Sequence, residues 1–489
     1  MNETLEKEIF DIEAIKKKAI SGVAALTGRT FILQIISLVS TFILGILLSP
    51  QTFGVFFVVS AAISFLSYFS DIGLAGALIQ KKEEPTDDDL KTTFTIQQIL
   101  VGSSVIIALA LSDTIASFYK LDNAGLWLFR SLVISFFLSS LKTIPSIILE
   151  RKLEFQKLVV PQIVETGSFY IAAILLAILG QGVTSFAVAS IVRGISGLIV
   201  IYKLYPWKVQ IGISKTSAKK LLSFGIPFQT NSFIALIKDD LMTVFLGKIL
   251  PFHQIGYIGW AKKWAEAPLK LIMDSVTRVT FPAFARLQHD EKILAKAIEK
   301  SVFFLALFIF PLTLLLAFII EPMVYVVPKY LKWQPAISSF YLFALASAMA
   351  SMSSPLVNAL NSIGRIKITF VLMVMWTALT WILIPTFVFF MGYNGVAMAA
   401  AIIGVSSFVP AIVLKRYVNY SFFPQLKKPL IGMIPMAIIS FAGSYIAGNN
   451  PLGIVLTEII AISVYAYVVY NLSASEIKPY LKLFYNAKK

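Results

Sequence analysis

Eight cations fall within or beside long apolar stretches of this chain: Arg29, Arg130, Lys142, Arg193, Lys238, Lys262, Lys263 and Lys270. Six acids lie at similar depth: Asp71, Glu165, Asp239, Asp240, Glu266 and Asp274. Charges inside apolar segments are expensive, about 2.5–3.5 kcal/mol each at a span centre on insertion scales, so they face a partner or a wet cavity. Lys262, Glu266, Lys270 and Asp274 recur every four residues, which lays alternating charge along one face of a helix. Cations gathered in a cavity would hold a phosphate or an acidic sugar. An acid beside them would exchange a proton or bind Na⁺. Any one of these residues is as readily explained by a structural pair, most of all Lys238 with its neighbours Asp239 and Asp240. The whole set favours a hydrated interior.

The elements that carry these groups are membrane spans. Of 489 residues, 57% are hydrophobic and 14% charged, which leaves no room for an ordinary soluble domain. About 20 apolar residues cross the hydrocarbon core, and fourteen such stretches follow one another from Ser21 to Leu472. The fold expected is an all-α polytopic membrane protein with about 14 transmembrane helices. Lys and Arg gather in alternate gaps, about 30 on one side against about 4 on the other, so the positive-inside rule puts both termini in the cytoplasm. The net charge of +16 is accounted for by this placement and does not call for nucleic acid.

Residues 1–20 read as a cytosolic amphipathic segment without the pattern of a cleavable signal. A first lobe of six spans runs over 21–204, a cytosolic linker over 205–221, and a second lobe of six over 222–417. Two more spans fill 418–472, and a basic cytosolic tail covers 473–489. An internal echo supports two pseudo-symmetric lobes: LGILLSPQTFG at Leu44 to Gly54 matches LGKILPFHQIG at Leu246 to Gly256, each closing a span of the same direction. Lys248 and His253 replace Ile46 and Gln51 in the second copy.

Other chemistries are excluded or weak. Cysteine is absent, and His253 and His289 are too few for an imidazole metal site. No catalytic residue, metal site or cofactor is expected, and no phosphate-loop or hydrolase motif occurs. Asp87, Asp88 and Asp89 imitate an acidic metal motif, but Thr86 before them predicts a helix cap.

The segment from Asp239 to Leu294 resembles the middle signature of bacterial polysaccharide flippases, with an acid, a Gly-containing helix end, Gly-Tyr, a long span and then Phe-Pro-Ala. Leu44 to Glu83 is similar to their opening hairpin, and Leu149 to Phe155 to the turn that follows. These belong to the polysaccharide transport group of the multidrug/oligosaccharidyl-lipid/polysaccharide exporter superfamily. The resemblance implies alternating access and an undecaprenyl-pyrophosphate-linked oligosaccharide as cargo. The expected location is the bacterial cytoplasmic membrane, among bilayer lipids; the pseudo-symmetry predicts a monomeric transport unit, with which proteins of glycan assembly could associate.

Depth and chemistry then make Arg29, Lys142, Arg193, Lys262, Lys263 and Lys270 the candidates for holding the anionic headgroup. Asp71, Glu165, Asp239 and Glu266 are candidates for coupling to Na⁺ or H⁺, or for charge pairing. A cation-coupled multidrug exporter is the nearest alternative, though its cavity would be richer in acids. A membrane glycan polymerase or ligase would need a large external loop, and a non-transporting scaffold would leave the buried charges unexplained.

Overall fold

Every backbone amide inside a bilayer must find its partner within the protein, which restricts a chain of this composition to helices or a closed barrel. Helices are what the computed structural model shows, and no strand occurs among the described residues, which are 2–68, 72–81, 83–448, 450–474 and 476–478. The chain divides into two compact units, Met1–Gly259 and Trp260–Lys489.

The first unit opens with α1 (Asn2–Leu47), α2 (Pro50–Tyr68), α3 (Leu74–Gln80) and α4 (Asp87–Ala110). It continues through α5 (Ser112–Tyr119), α6 (Asn123–Ser140), α7 (Thr143–Arg151), α8 (Phe155–Ile178) and α9 (Val183–Leu204). After α10 (Lys215–Leu236) comes a single π turn, Ile237–Leu241, then α11 (Met242–Ile249) and the start of α12 (Phe252–Ala265). Helix α9 packs against α8 and α6, while α1 lies along α8 and α2 along α6. A core of Leu74, Leu78, Phe94, Ile144, Ile147 and Leu221 ties α3, α4, α7 and α10 together.

The expected cap at Thr86 is present. Its hydroxyl accepts from the Asp89 amide at 3.3 Å while the Asp89 carboxylate accepts from the Thr86 amide at 3.0 Å. Asp89 also takes a salt bridge from Lys81 at 2.5 Å, so the acidic run starts a helix as predicted.

The echoed turns share one register. Helix α1 ends at Leu47 and α2 begins at Pro50; α11 ends at Ile249 and α12 begins at Phe252, each 202 residues on. The two turns also meet. A Cβ added to Gly54 would lie 1.7 Å from the Phe252 carbonyl oxygen, and one added to Gly256 would lie 1.9 Å from that of Pro50. This reciprocity is what a local twofold between the copies requires, and only glycine permits the approach. Toward the other end of α2, Gly73 and Gly225 make a similar backbone contact.

The second unit holds α13 (Ala267–Leu287), α14 (Glu291–Val326), α15 (Ile337–Ser362), α16 (Ile366–Met391) and α17 (Asn394–Val405). Then follow α18 (Val409–Leu414), α19 (Phe423–Ala447) and α20 (Pro451–Leu472). Its main core joins Ile298, Val302 and Leu305 of α14 to Met352, Leu356 and Leu360 of α15. The last two helices pair with each other through Met436, Ala461, Tyr465 and Val469 and rest on α14.

Twelve helices among the described residues are long and apolar enough to cross a membrane. Of the fourteen stretches expected, the first two of the second lobe, over about 222–249 and 254–276, are helical as well, but both are rich in charge. Lys238, Asp239 and Asp240 occupy the π turn of one, and Lys262, Lys263, Glu266 and Lys270 straddle the junction of α12 and α13 in the other.

Candidate functional site

A polar constellation of the first unit forms where α8 and α9 pack together with the junction between α6 and α7. Lys142 at that junction donates directly to Glu165 of α8. Arg193 of α9 approaches the same carboxylate, with Nε 4.0 Å from Oε2. The lysine and glutamate side chains are each 12% exposed, whereas that of Arg193 is 54% exposed. One carboxylate therefore faces two cations, and the uncompensated positive charge is carried by the accessible guanidinium. Room for Glu165 comes from Gly197, one turn beyond Arg193, where a Cβ would stand 2.0 Å from the carboxylate oxygen.

Arg193 also lines a cavity of 300 Å³. Helix α2 contributes Ser60, Ser64 and Ser67, spaced so that they share one helix face, and α6 contributes Ser135 and Ser139. Ser190 completes the hydroxyl lining from α9, while Phe56, Phe136 and Phe169 form apolar wall. Ser135 donates to the Ser190 carbonyl at 2.7 Å and Ser190 to that of Phe186 at 2.7 Å, which fixes both side chains. The buried Ser60 hydroxyl has no hydrogen-bond partner among the described residues, so it remains available to a guest or to water. Phe56 stacks on Phe186 at 4.2 Å and closes one side. Hydroxyls, aromatic faces and one guanidinium suit a ligand with hydroxyls, C–H faces and an anionic group.

Arg29 of α1 is held by Gln162 of α8, with Nη1 2.7 Å from Oε1, one turn before Glu165. A second polar tie between the same helices joins Ser37 and Tyr170 at 2.8 Å. In the π turn, Lys238 pairs with Asp239 at 3.7 Å. Asp71 lies outside the described residues. Lys248, the departure noted in the second echo, donates to the Phe118 carbonyl at 2.8 Å and sits 3.7 Å above that ring.

In the second unit the four-residue spacing produces charge alternation over its first three members; the side chain of Asp274, the fourth, lies outside the described residues. Glu266 is flanked by Lys262 at 3.8 Å and Lys270 at 2.9 Å. Lys263, the next residue, is partly exposed.

Three groupings escaped the sequence reading. Arg130 is clamped in two-pronged fashion by Asp113, at 2.9 and 3.1 Å, and by Ser112, a pairing that bends back from α6 to α5. Glu458 of α20 is 4% exposed and accepts from Ser440 of α19 at 2.9 Å. Its signal was plain, a lone acid midway along an otherwise uncharged span. The serine face of α2 was also legible as a spacing, although hydropathy passes over serine.

A membrane protein that holds paired charges and a hydroxyl-lined cavity within its spans has the means to accommodate polar cargo in a bilayer. The family pattern described as polysaccharide biosynthesis protein matches residues 43–338, more than half of the chain, and the chain belongs to that family. The lipopolysaccharide biosynthesis protein WzxC of Escherichia coli is 27% identical over 436 residues, covering 86% of this chain and 84% of that protein. Among solved structures, the lipid II flippase MurJ superposes with a TM-score of 0.76 at 15% identity, over 92% of this chain and 99% of MurJ. A multidrug resistance MATE family transporter of the MOP superfamily gives 0.60 at 15% identity, over 81% of this chain and 95% of that one. The fold is thus the one these transporters share, and the expectation of a transport protein rather than an enzyme rests on these relatives and this fold.

Proposed function

We propose that the protein flips an undecaprenyl-pyrophosphate-linked oligosaccharide from the cytoplasmic to the outer leaflet of a bacterial membrane, by alternating access of two six-helix lobes. The observation that carries this reading is the cavity that sets the exposed Arg193 guanidinium among six serines and aromatic walls. Serine hydroxyls exchange hydrogen bonds with sugar hydroxyls, aromatic faces cover sugar C–H groups, and a guanidinium fork matches a phosphate. WzxC is named for lipopolysaccharide biosynthesis and MurJ as a flippase of lipid II, which supports cargo of the same class.

Lys142 and Glu165 position Arg193 in this scheme; Arg29 of the first unit and, separately, Lys262, Lys263 and Lys270 of the second are the other cations through which a pyrophosphate would be held. The lipid tail remains in the bilayer. Glu165, Asp239, Glu266 and Asp71 are the groups through which Na⁺ or H⁺ would couple to transport. The transporting unit is a single chain with both termini in the cytoplasm, working alongside proteins of glycan assembly.

Flipping of a lipid-pyrophosphate oligosaccharide in proteoliposomes tests the proposal, with wild type, Arg193→Ala and Lys263→Ala reconstituted equally. Loss of one charge-assisted contact to phosphate, about 1.5–3 kcal/mol, predicts at least tenfold slower flipping by Arg193→Ala below saturation. Transport of cationic drugs by a wild-type protein that ignores every lipid-linked glycan would make it a multidrug exporter instead. Imposed Na⁺ and pH gradients, applied separately, identify the coupling ion.

A further inference from the structure

The second unit contains an open groove of 640 Å³ between α13 and α14 that the transport reading does not use. Its floor is low because Ala283 and Ala297 face it from the two helices. Both hydroxyls inside are already engaged: Ser301 donates to the Ala297 carbonyl at 2.9 Å, and Thr280 accepts from Asn358 at 3.2 Å. The interior consequently offers hydrocarbon, chiefly from Val276, Phe284 and Phe304.

Charge is confined to one edge. Lys296 and Lys300 stand one turn apart on the groove face of α14, and both are exposed. The acids of the same helical stretch are turned elsewhere, with Glu291 accepting from the Asn419 amide at 2.9 Å and Glu299 from the Ser421 amide at 2.7 Å. Residues 301–320 then carry no charge, a run of about 30 Å at 1.5 Å per residue, so Lys300 marks the headgroup level of the bilayer.

We propose that this groove is a docking site for an anionic phospholipid from the leaflet on the lysine-rich side of the membrane. The phosphodiester sits between Lys296 and Lys300, and an acyl chain lies over the alanine floor. Two ammonium groups one turn apart at the headgroup level meet the chemistry of a diester phosphate, and the volume falls within the range of about 300–1,000 Å³ found for small-ligand pockets. A zwitterionic lipid offers no net charge for the two lysines to neutralise, which is the source of selectivity.

The test is native mass spectrometry of the full chain in detergent, titrated with phosphatidylglycerol or with phosphatidylcholine of the same acyl chains. Four proteins are compared: wild type, Lys296→Gln/Lys300→Gln, Ala297→Phe, and Lys219→Gln/Lys220→Gln as a basic control on another helix. Phosphatidylglycerol should bind wild type in preference. The Lys296/Lys300 double variant should lose affinity about thirtyfold, at about 1 kcal/mol per lysine near an anionic headgroup. Ala297→Phe should lose it with both lysines intact, and the control should bind as wild type. Because Lys296 and Lys300 are exposed, their replacement does not put folding at risk. Equal binding of the two lipids, or equal loss in the control, overturns the proposal. So does competitive displacement of phosphatidylglycerol by polyprenyl pyrophosphate, which would give the groove to the transport route. That result leaves the flippase reading standing, and a failure of flipping leaves the groove standing.

Discussion

Glu165 holds an ammonium and a guanidinium at once, and it does so between helices inside the membrane-spanning region. The side chains of Lys142 and Glu165 are each 12% exposed, so removing the carboxylate leaves the lysine without its counter-charge in a medium of low dielectric. Glu165→Gln is expected to destabilise the folded protein by about 3 kcal/mol. The joint replacement Lys142→Met/Glu165→Met should recover most of that loss. Thermal unfolding of the three variants in detergent checks both statements, and a double variant as unstable as the single one refutes the pairing. Gly197 supplies an independent probe. Alanine there places a methyl 2.0 Å from the carboxylate oxygen, so Glu165 must swing away and release Arg193. Flipping should fall in Gly197→Ala with the protein still folded and monodisperse. Such close packing was not legible in the chain, because residues 142, 165 and 193 lie on separate helices and only tertiary packing sets their distance.

At the scale of the helix, the periodic signals were read correctly where they depended on neighbours in sequence. Thr86 with Asp89 formed its cap, and Lys262, Glu266 and Lys270 formed their alternating pairs. Thr86→Ala should cost about 1 kcal/mol, measured as a shift in thermal unfolding. The segments 222–249 and 254–276 were read as spans from their length and apolar content, and they are helical, although their charges dilute that content enough to leave them outside the twelve most apolar helices. Serines are nearly silent on a hydropathy scale, which is why the face Ser60, Ser64, Ser67 was passed over although its spacing stands in the sequence. Glu458 stands out in the sequence as a lone acid in its span, but its donor Ser440 on the neighbouring helix does not. Ser440→Ala should destabilise the α19–α20 pair by about 1–3 kcal/mol by leaving the acid without its donor, whereas Ser440→Ala/Glu458→Met should be close to neutral. Thermal unfolding distinguishes the two.

Over the whole molecule, the lopsided distribution of Lys and Arg makes a prediction about orientation that needs no transport assay. The chain lacks cysteine, so a single introduced thiol reports without background. Lys219→Cys should react with an impermeant maleimide only after the membrane is opened, and Gln181→Cys should react in intact cells from which the outer membrane, if present, has been removed. The inverse pattern would reverse the assigned topology.

The reciprocal approach of Gly54 and Gly256 bears on how such a molecule could work repeatedly. Main chain meets main chain there, and neither glycine brings a rotamer to select. Parting the two turns would ask no glycine side chain to unpack, and rejoining them would ask none to find its place again. A seam of that kind keeps no memory of how often it has been opened, and a single added methyl on either side would hold it ajar.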